Sequence, residues 1–298
     1  MAATTWAKNY QPVVYEWFLE GMNSVPSMIP MLFDVQTSSK LYEYSIGVGG
    51  VPVEHWDGYR LDGITRNVDV DRGYAKTFTN TEYTVRYALK KLYIQTDQLG
   101  VIQQGLNSIG VSAQQKRETD AASVFNNAFS SSFTGPDGVS LCNASHPVGP
   151  DNTGTTRDNT GTDAFSYQAI KDARVALRAL NDGQGNPYMI NATRALIPIE
   201  LEPQAAELFN ALAKPGTANN DANAISQLGY ASWDWLTDTN NWFLYDPIRI
   251  KQMLKWYNFS DLEVMIIEET TTDIVYEFKM VYSYGWRHWS FLFGNEVT

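Results

Sequence analysis

The longest helix-compatible stretch of this chain, Asp97 to Phe129, runs straight into a segment that cannot be helical. Ile102, Leu106, Ile109, Ala113, Ala121, Phe125 and Ala128 fall near a helical period, and at 1.5 Å per residue such a helix is roughly 50 Å long. Gly100, Gly105 and Gly110 each cost about 1 kcal/mol relative to alanine, which predicts bending or fraying in its first half. Then comes Phe133 to Pro147, where Gly135-Pro136-Asp137-Gly138 breaks the helix, Val139 and Leu141 form a short apolar pair, and His146-Pro147 opens a polar loop. This connector holds no workable catalytic group. A second helix is predicted over Ser166 to Leu180, with Ile170, Ala173, Leu177 and Leu180 on its buried face and Asn181-Asp182-Gly183 ending it.

Upstream, Val14, Tyr15, Phe18 and Leu19 make a short helical stripe, while Pro26 and Pro30 exclude a long helix, so the first forty residues read as an extended arm. Its large apolar groups must cover some surface, on this subunit or on a neighbour. From Gly47 to Gln95 the pattern is strand-like, with Tyr83, Val85, Tyr87, Leu89, Lys91 and Tyr93 on one face and a charged middle from Arg60 to Lys76. Such a hairpin buries little by itself, and its fixing contacts are expected elsewhere.

Downstream, Asp151 to Thr162 holds a near-repeat of Asp-Asn-Thr-Gly-Thr and reads as a polar surface loop. Ala195 to Pro198 is strand-like, Glu202 to Ala213 helical, and Thr217 to Ala224 a loop. In the last third Ile274, Tyr276, Phe278, Met280 and Tyr282 share one strand face; Trp286 to Phe293 alternate as a second strand and Leu262 to Ile267 supply a third. Glu268 and Glu269 fall between strand segments, in a solvated turn. Three antiparallel strands beside two helices predict an α+β layer.

Composition excludes several classes. The 298 residues carry a net charge of -11 and show no Lys/Arg cluster, which argues against tight nucleic-acid binding. No run approaches a membrane span, the N-terminus lacks a secretory pattern, and the single Cys142 fits a reducing compartment and reads as a small buried hydrophobe. Aromatics reach 13%, which suits an interface, a large core or a sugar-binding face.

Chemistry is hard to find. Asn67 to Gly73 imitates the start of a calcium loop but places Arg72 where glycine is required and Phe78 where an acid is required. His55, His146 and His288 have no metal-ligand spacing, and His146 and His288 read as structural. Gly47-Val48-Gly49-Gly50 lacks the lysine and helix start of a phosphate loop. Glu268-Glu269, Glu200 with Glu202, and Asp234 between Trp233 and Trp235 leave a carbohydrate-active protein as the rival from a different class. No cofactor, metal or active site is expected.

The connector Gly135-Pro136-Asp137-Gly138 with His146-Pro147, and Leu196-Ile197-Pro198-Ile199-Glu200-Leu201, where Mu-like relatives often read Val-Pro-Pro-Glu-Leu, resemble major head proteins of tailed bacteriophages. Ile199 departs from that pattern by replacing the second proline. The order of elements over nearly the whole chain is similar to the Hong Kong 97-type capsid fold. That resemblance implies an N-terminal arm at 1–46, an extended E-loop hairpin at 47–96, a peripheral domain with its spine helix at 97–187 and its C-terminal strands at 259–298, and an axial domain at 188–258. It also implies hexamers and pentamers in an icosahedral shell around double-stranded DNA, assembled in the host cytoplasm, with a portal and with scaffold or decoration proteins as further partners. An encapsulin-like protein shell is the close alternative. Contacts between subunits are expected at Trp6, Tyr10, Trp17 and Phe18 of the arm and at Arg60, Arg66, Asp69, Asp71, Arg72 and Lys76 of the hairpin.

Overall fold

The helical period read over 97–129 is realised, in a computed structural model of the chain, as one helix from Leu99 to Asn126. The structure describes residues 5–48, 72–96, 99–183, 185–215 and 221–298. In chain order its elements begin with helices α1 (Thr5–Asn23) and α2 (Ile29–Leu32), strands β1 (Asp34–Thr37), β2 (Tyr42–Val48), β3 (Arg72–Thr79) and β4 (Thr81–Lys90), and helices α3 (Lys91–Gln95) and α4 (Leu99–Asn126). After the connector come β5 (His146–Gly149), β6 (Asn152–Arg157), β7 (Thr160–Gly161), α5 (Tyr167–Ala179), β8 (Arg194–Ile197) and α6 (Glu202–Asn210). The last third holds β9 (Gly229–Ser232), β10 (Trp242–Tyr245), α7 (Pro247–Met253), β11 (Leu254–Glu269), β12 (Asp273–Trp286) and β13 (Leu292–Asn295).

Two units share these elements. The first comprises Met1–Glu43, Phe78–Ser123 and Lys255–Gly285. Its sheet has the order β1-β11-β12-β4, with β1 parallel to β11 and β12 antiparallel to β4 over ten pairs from Asp273↔Lys90 to Tyr282↔Thr81. Alternation along β12 buries Ile274, Tyr276, Phe278, Met280 and Tyr282, the face expected from the sequence. Rings stack across it: Phe18 on Phe278 at 4.7 Å, Tyr83 on Tyr282 at 4.5 Å, and Tyr282 on Trp256 at 4.7 Å. The Tyr282 hydroxyl donates to Asp120 at 2.8 Å, and burial, then this carboxylate, push the phenol's pKa upward. Glu118, fully buried in α4, accepts from the Met28 N–H at 3.3 Å and from Gln114 at 3.0 Å, as a buried carboxylate requires.

Two glycines of α4, Gly105 and Gly110, lie where another element comes close to the helix. A methyl group at Gly110 would stand 2.1 Å from the carbonyl oxygen of Phe18, and one at Gly21 would stand 2.1 Å from that of Asn107. α1 and α4 therefore touch backbone to backbone, each through a glycine of its own. Gly105 serves likewise, with the Tyr87 hydroxyl 2.8 Å from its absent methyl.

The second unit comprises Tyr44–Thr77, Val124–Leu254 and Trp286–Thr298. Its five-stranded sheet, β7-β13-β10-β8-β9, is centred on β10, whose Trp242, Phe243, Leu244 and Tyr245 are all buried. This reads as an uninterrupted apolar run because both faces of the strand are covered. Phe125, Phe129 and Trp233 pack on it or on one another, and Gly294 of β13 leaves room for Cys142 Sγ, which would lie 2.5 Å from an added methyl. α5 is capped by Ser166, which accepts from the Ala169 N–H, and buries Ile170, Ala173 and Leu177 as its period requires.

Several expectations need correction. The extended arm is a 19-residue helix, because Val14, Phe18 and Met22 continue the stripe at i, i+4 and i+8 and are buried, while Pro12 lies exposed on its outer side. Pro26 and Pro30 do limit it, but only after Asn23, and Pro30 sits in the first turn of α2. The strand face written through Lys91 and Tyr93 stops at Lys90, where α3 begins. Residues 151–162 are not loop throughout: β6 pairs with β5, and β7 joins the five-stranded sheet beside β13. Residues 286–293 are not one strand, since β12 ends at Trp286 and β13 starts at Leu292, with Trp289 and Phe291 between them buried. Glu268 and Glu269 close β11 rather than occupying a turn, and Glu269 pairs with Lys91 at 2.8 Å.

Candidate assembly surfaces

The connector is a rigid corner built on polar chemistry. Gly138 takes φ 83°, a left-handed turn conformation that suits glycine. Asp137 lies 2.6 Å from His146 Nδ1, and His146 Nε2 lies 3.0 Å from Asn159 Oδ1. Asn159 Nδ2 donates to the carbonyls of Leu141 at 3.0 Å and Leu292 at 3.2 Å, so Oδ1 is the acceptor and Nε2 of His146 carries a proton. His146 also stacks on Trp289 at 4.3 Å, and His288 stacks on the same ring system at 5.3 Å. Burial pushes His288 down to about 4, with the Asp137 charge opposing that shift. Both histidines are held in packing and hydrogen bonds, as the sequence suggested.

The arm's residues divide. Phe18 is fully buried and stacked on Phe278, so the structure places it in the core of its own chain and not on an outer surface. This corrects the expectation for Phe18: a helix, unlike an extended arm, buries its stripe locally. Trp17 and Tyr10 are half-buried, and Trp6 lies in the first turn of α1.

In the hairpin, Arg60, Arg66, Asp69 and Asp71 lie outside the described residues. Arg72 opens β3. Lys76 is half-buried, its ammonium 3.4 Å from the Thr134 carbonyl and 5.5 Å from the centre of the Trp286 ring. Burial lowers its pKa, and the nearby Asp137 charge partly restores it. Lys76 is therefore held by its own chain in this structure.

Sequence reading missed the apolar surfaces. On β2, Tyr42, Tyr44 and Ile46 are each more than half exposed, and on β11 Phe259, Met265 and Ile267 project outward in alternation. Their i, i+2 spacing is visible in the sequence, but nothing there says which face of a strand is left uncovered. Faces of this kind on a folded chain mark places where another protein surface docks.

Asp234, Glu200 and Glu268 are exposed, Trp233 is buried against Phe125, and among the described residues no group of three His, Cys, Asp or Glu side chains is placed to hold a metal. Nor is any described helix long and apolar enough to cross a membrane.

A profile of the family described as phage capsid protein matches residues 74–293, well over half of the chain. The chain belongs to the phage capsid protein family. This capsid protein is structural and shell-forming, and it has the Hong Kong 97-type fold expected from the resemblance. Its structure is similar to the capsid of the cyanophage P-SCSP1u, with a TM-score of 0.58, 11% identity, and coverage of 92% of this chain and 88% of that one. The procapsid of bacteriophage JBD30 matches with a TM-score of 0.55 at 13% identity over 100% of this chain and 77% of the other. A virus-like particle from Pyrococcus furiosus matches with a TM-score of 0.53 at 11% identity over 96% and 99%. No curated protein sequence matches.

Proposed function

We propose that this capsid protein is the major head subunit of a tailed bacteriophage, assembling into hexamers and pentamers of an icosahedral shell around double-stranded DNA. The observation that carries this is the family match over residues 74–293. Mechanism here is geometrical: subunits are joined by many individually weak, symmetric contacts. β2 and β3 form the base of the E-loop hairpin, α4 is the spine helix, the β11–β12 sheet belongs to the peripheral domain and 188–258 to the axial domain. Trp6, Tyr10 and Trp17, with Arg60, Arg66, Asp69, Asp71 and Arg72, are the proposed contacts with adjacent copies. The chain's excess of acids, a net charge of -11, disfavours adhesion to DNA and suits a container that must fill and empty. The protein acts without a cofactor and catalyses no reaction, is assembled in the host cytoplasm, and meets a portal and scaffold or decoration proteins there.

Negative-stain microscopy of the purified chain tests this. Particles of uniform diameter are expected, and a monodisperse monomer under all assembly conditions would overturn it. A second reading is a protein shell without a genome, since the virus-like particle from Pyrococcus furiosus shares the fold. Double-stranded DNA inside particles recovered from the source excludes that reading.

A further inference from the structure

Among the described residues, β4 is hydrogen-bonded to β12 on one side and to no strand on the other. It is ten residues long, and its pattern leaves seven exposed. A bare edge of this length, rich in Thr, Tyr and Val and free of proline, is a template for pairing with another strand. Beside this strand a groove of about 530 Å³ runs to α4, lined by Tyr83 and Val85 of the strand, Ile109 and Ala113 of the helix, and Phe278 and Met280 below. Edge and groove lie together, so a strand added to β4 would send alternate side chains into an apolar trough.

We propose that β4 pairs antiparallel with β4 of a second copy about a two-fold axis centred on Arg86, joining two four-stranded sheets into one of eight. The charge order along the strand selects this occupant. With Arg86 at the centre, Glu82, which Lys279 of its own copy holds at 2.9 Å, also faces Lys90 of the second copy, and the axis repeats the arrangement at the other end. Val85 meets Tyr87, Thr84 meets Ala88 and Tyr83 meets Leu89, all pairs that sheets favour or tolerate. Centring on Val85 instead would set Glu82 against Ala88 and lose both ion pairs. The two central guanidiniums are each held by Glu277 of their own copy at 2.6 Å, which offsets their repulsion. Tyr83, Val85 and Tyr87 share the face that Phe278 and Met280 occupy on β12, because Val85 is opposite Phe278 and Tyr83 opposite Met280. A two-fold axis normal to the sheet keeps that face common to both copies, so each Val85 and Tyr87 pair closes the other's groove. The inference rests on self-assembly only in taking the partner to be a second copy.

Arg86→Cys is the test. The side chain of Arg86 is 66% exposed, and the chain's one native cysteine, Cys142, is buried, so the new thiol is the reactive one. Two strands paired about this residue hold the thiols within reach of a disulfide. Mild oxidation of the folded variant should give a cross-linked dimer on a non-reducing gel at about ten times the yield of Glu263→Cys, an exposed control on β11. In the Arg86→Cys background Glu82→Lys or Lys90→Glu should each cut the yield about fivefold, and the two together should restore it. Equal yields for Arg86→Cys and Glu263→Cys, or no rescue by the double swap, would overturn the proposal. Uniform particles without the dimer of Arg86→Cys sink this contact and leave the shell reading standing; the dimer without particles does the reverse.

Discussion

Replacing Gly110 with alanine separates two opposed effects that act at one atom. In an isolated helix the change is favourable by about 1 kcal/mol, because alanine loses less backbone entropy on becoming helical. In this protein the new methyl would stand 2.1 Å from the Phe18 carbonyl oxygen and 2.8 Å from the Met22 nitrogen. Both neighbours are backbone, so no side chain can rotate aside. To reach even 3.0 Å, the shortest separation real methyl groups tolerate, the first contact must open by 0.9 Å (3.0 minus 2.1). A gap of that size forfeits a quarter to a half of the dispersion attraction along the seam between α1 and α4, and overpacking of this kind costs about 3 kcal/mol. The net expectation is a loss of about 2 kcal/mol, the opposite sign to the helix scale.

The matching control is Gly100→Ala in the same helix, where nothing lies within 4 Å of the added methyl. It should leave stability unchanged or raise it by up to about 1 kcal/mol. Urea unfolding followed by far-ultraviolet circular dichroism measures both, and hydrogen exchange of the α1 amides shows whether that helix is the part released. Equal stability of the two variants, or a stabilised Gly110→Ala, would refute the backbone contact between α1 and α4.

Gly294→Ala should cost about 2 kcal/mol in urea unfolding, because its methyl would meet Cys142 Sγ at 2.5 Å, Phe129 at 2.9 Å and Phe243 at 3.1 Å; pairing it with Cys142→Ala should recover part of that loss. Removing the Phe18 ring with alanine leaves a hole under Phe278 and should cost about 4 kcal/mol, whereas Tyr15→Ala on the exposed side of α1 should change stability by less than about 0.5 kcal/mol. His288, depressed to about 4 from an ordinary 6.5, binds fewer protons folded than unfolded between those values, so its contribution is complete above pH 6.5 and falls as the pH drops towards 4, by at most about 3 kcal/mol. His288→Asn, which keeps an acceptor for the Ser290 N–H, should flatten unfolding free energy over that window.

How far the sequence could be read depended on whether a pattern had one physical cause. α5 was legible end to end, since Ser166 can cap, Ile170, Ala173 and Leu177 can only share a helical face, and Asn181-Asp182-Gly183 can only stop it. β12 was equally plain, five apolar residues in strict alternation. α1 was misread because proline carries two meanings: Pro26 and Pro30 break or start helices, while Pro12 sits inside one on its solvent side. The roles of Gly105 and Gly110 in α4 were illegible for the same kind of reason. Propensity describes their cost in a lone helix, and only the partner helix shows that Gly110 and Gly21 are where two backbones meet. The five-stranded sheet was largely illegible, since its strands run two to four residues and its neighbours β7, β13, β10, β8 and β9 are far apart in sequence.

The aromatic content shows where function was and was not legible. Thirteen per cent of the chain fitted an interface, a core or a sugar-binding face alike. In the structure Trp242, Trp256, Trp286 and Trp289 are among the largest fully buried side chains, and Trp233, next to exposed Asp234, is buried too. Those indoles are spent on the interior. Among the apolar groups left outside are Tyr42, Tyr44 and Ile46 on β2, Val85 on the edge of β4, and Phe259, Met265 and Ile267 on β11. These lie on strand faces, extended and repetitive. They are suited to lying along another strand or sheet. A shell-forming subunit can meet its own kind along such faces, and alternating apolar residues carry no motif by which a sequence alone would mark them as functional.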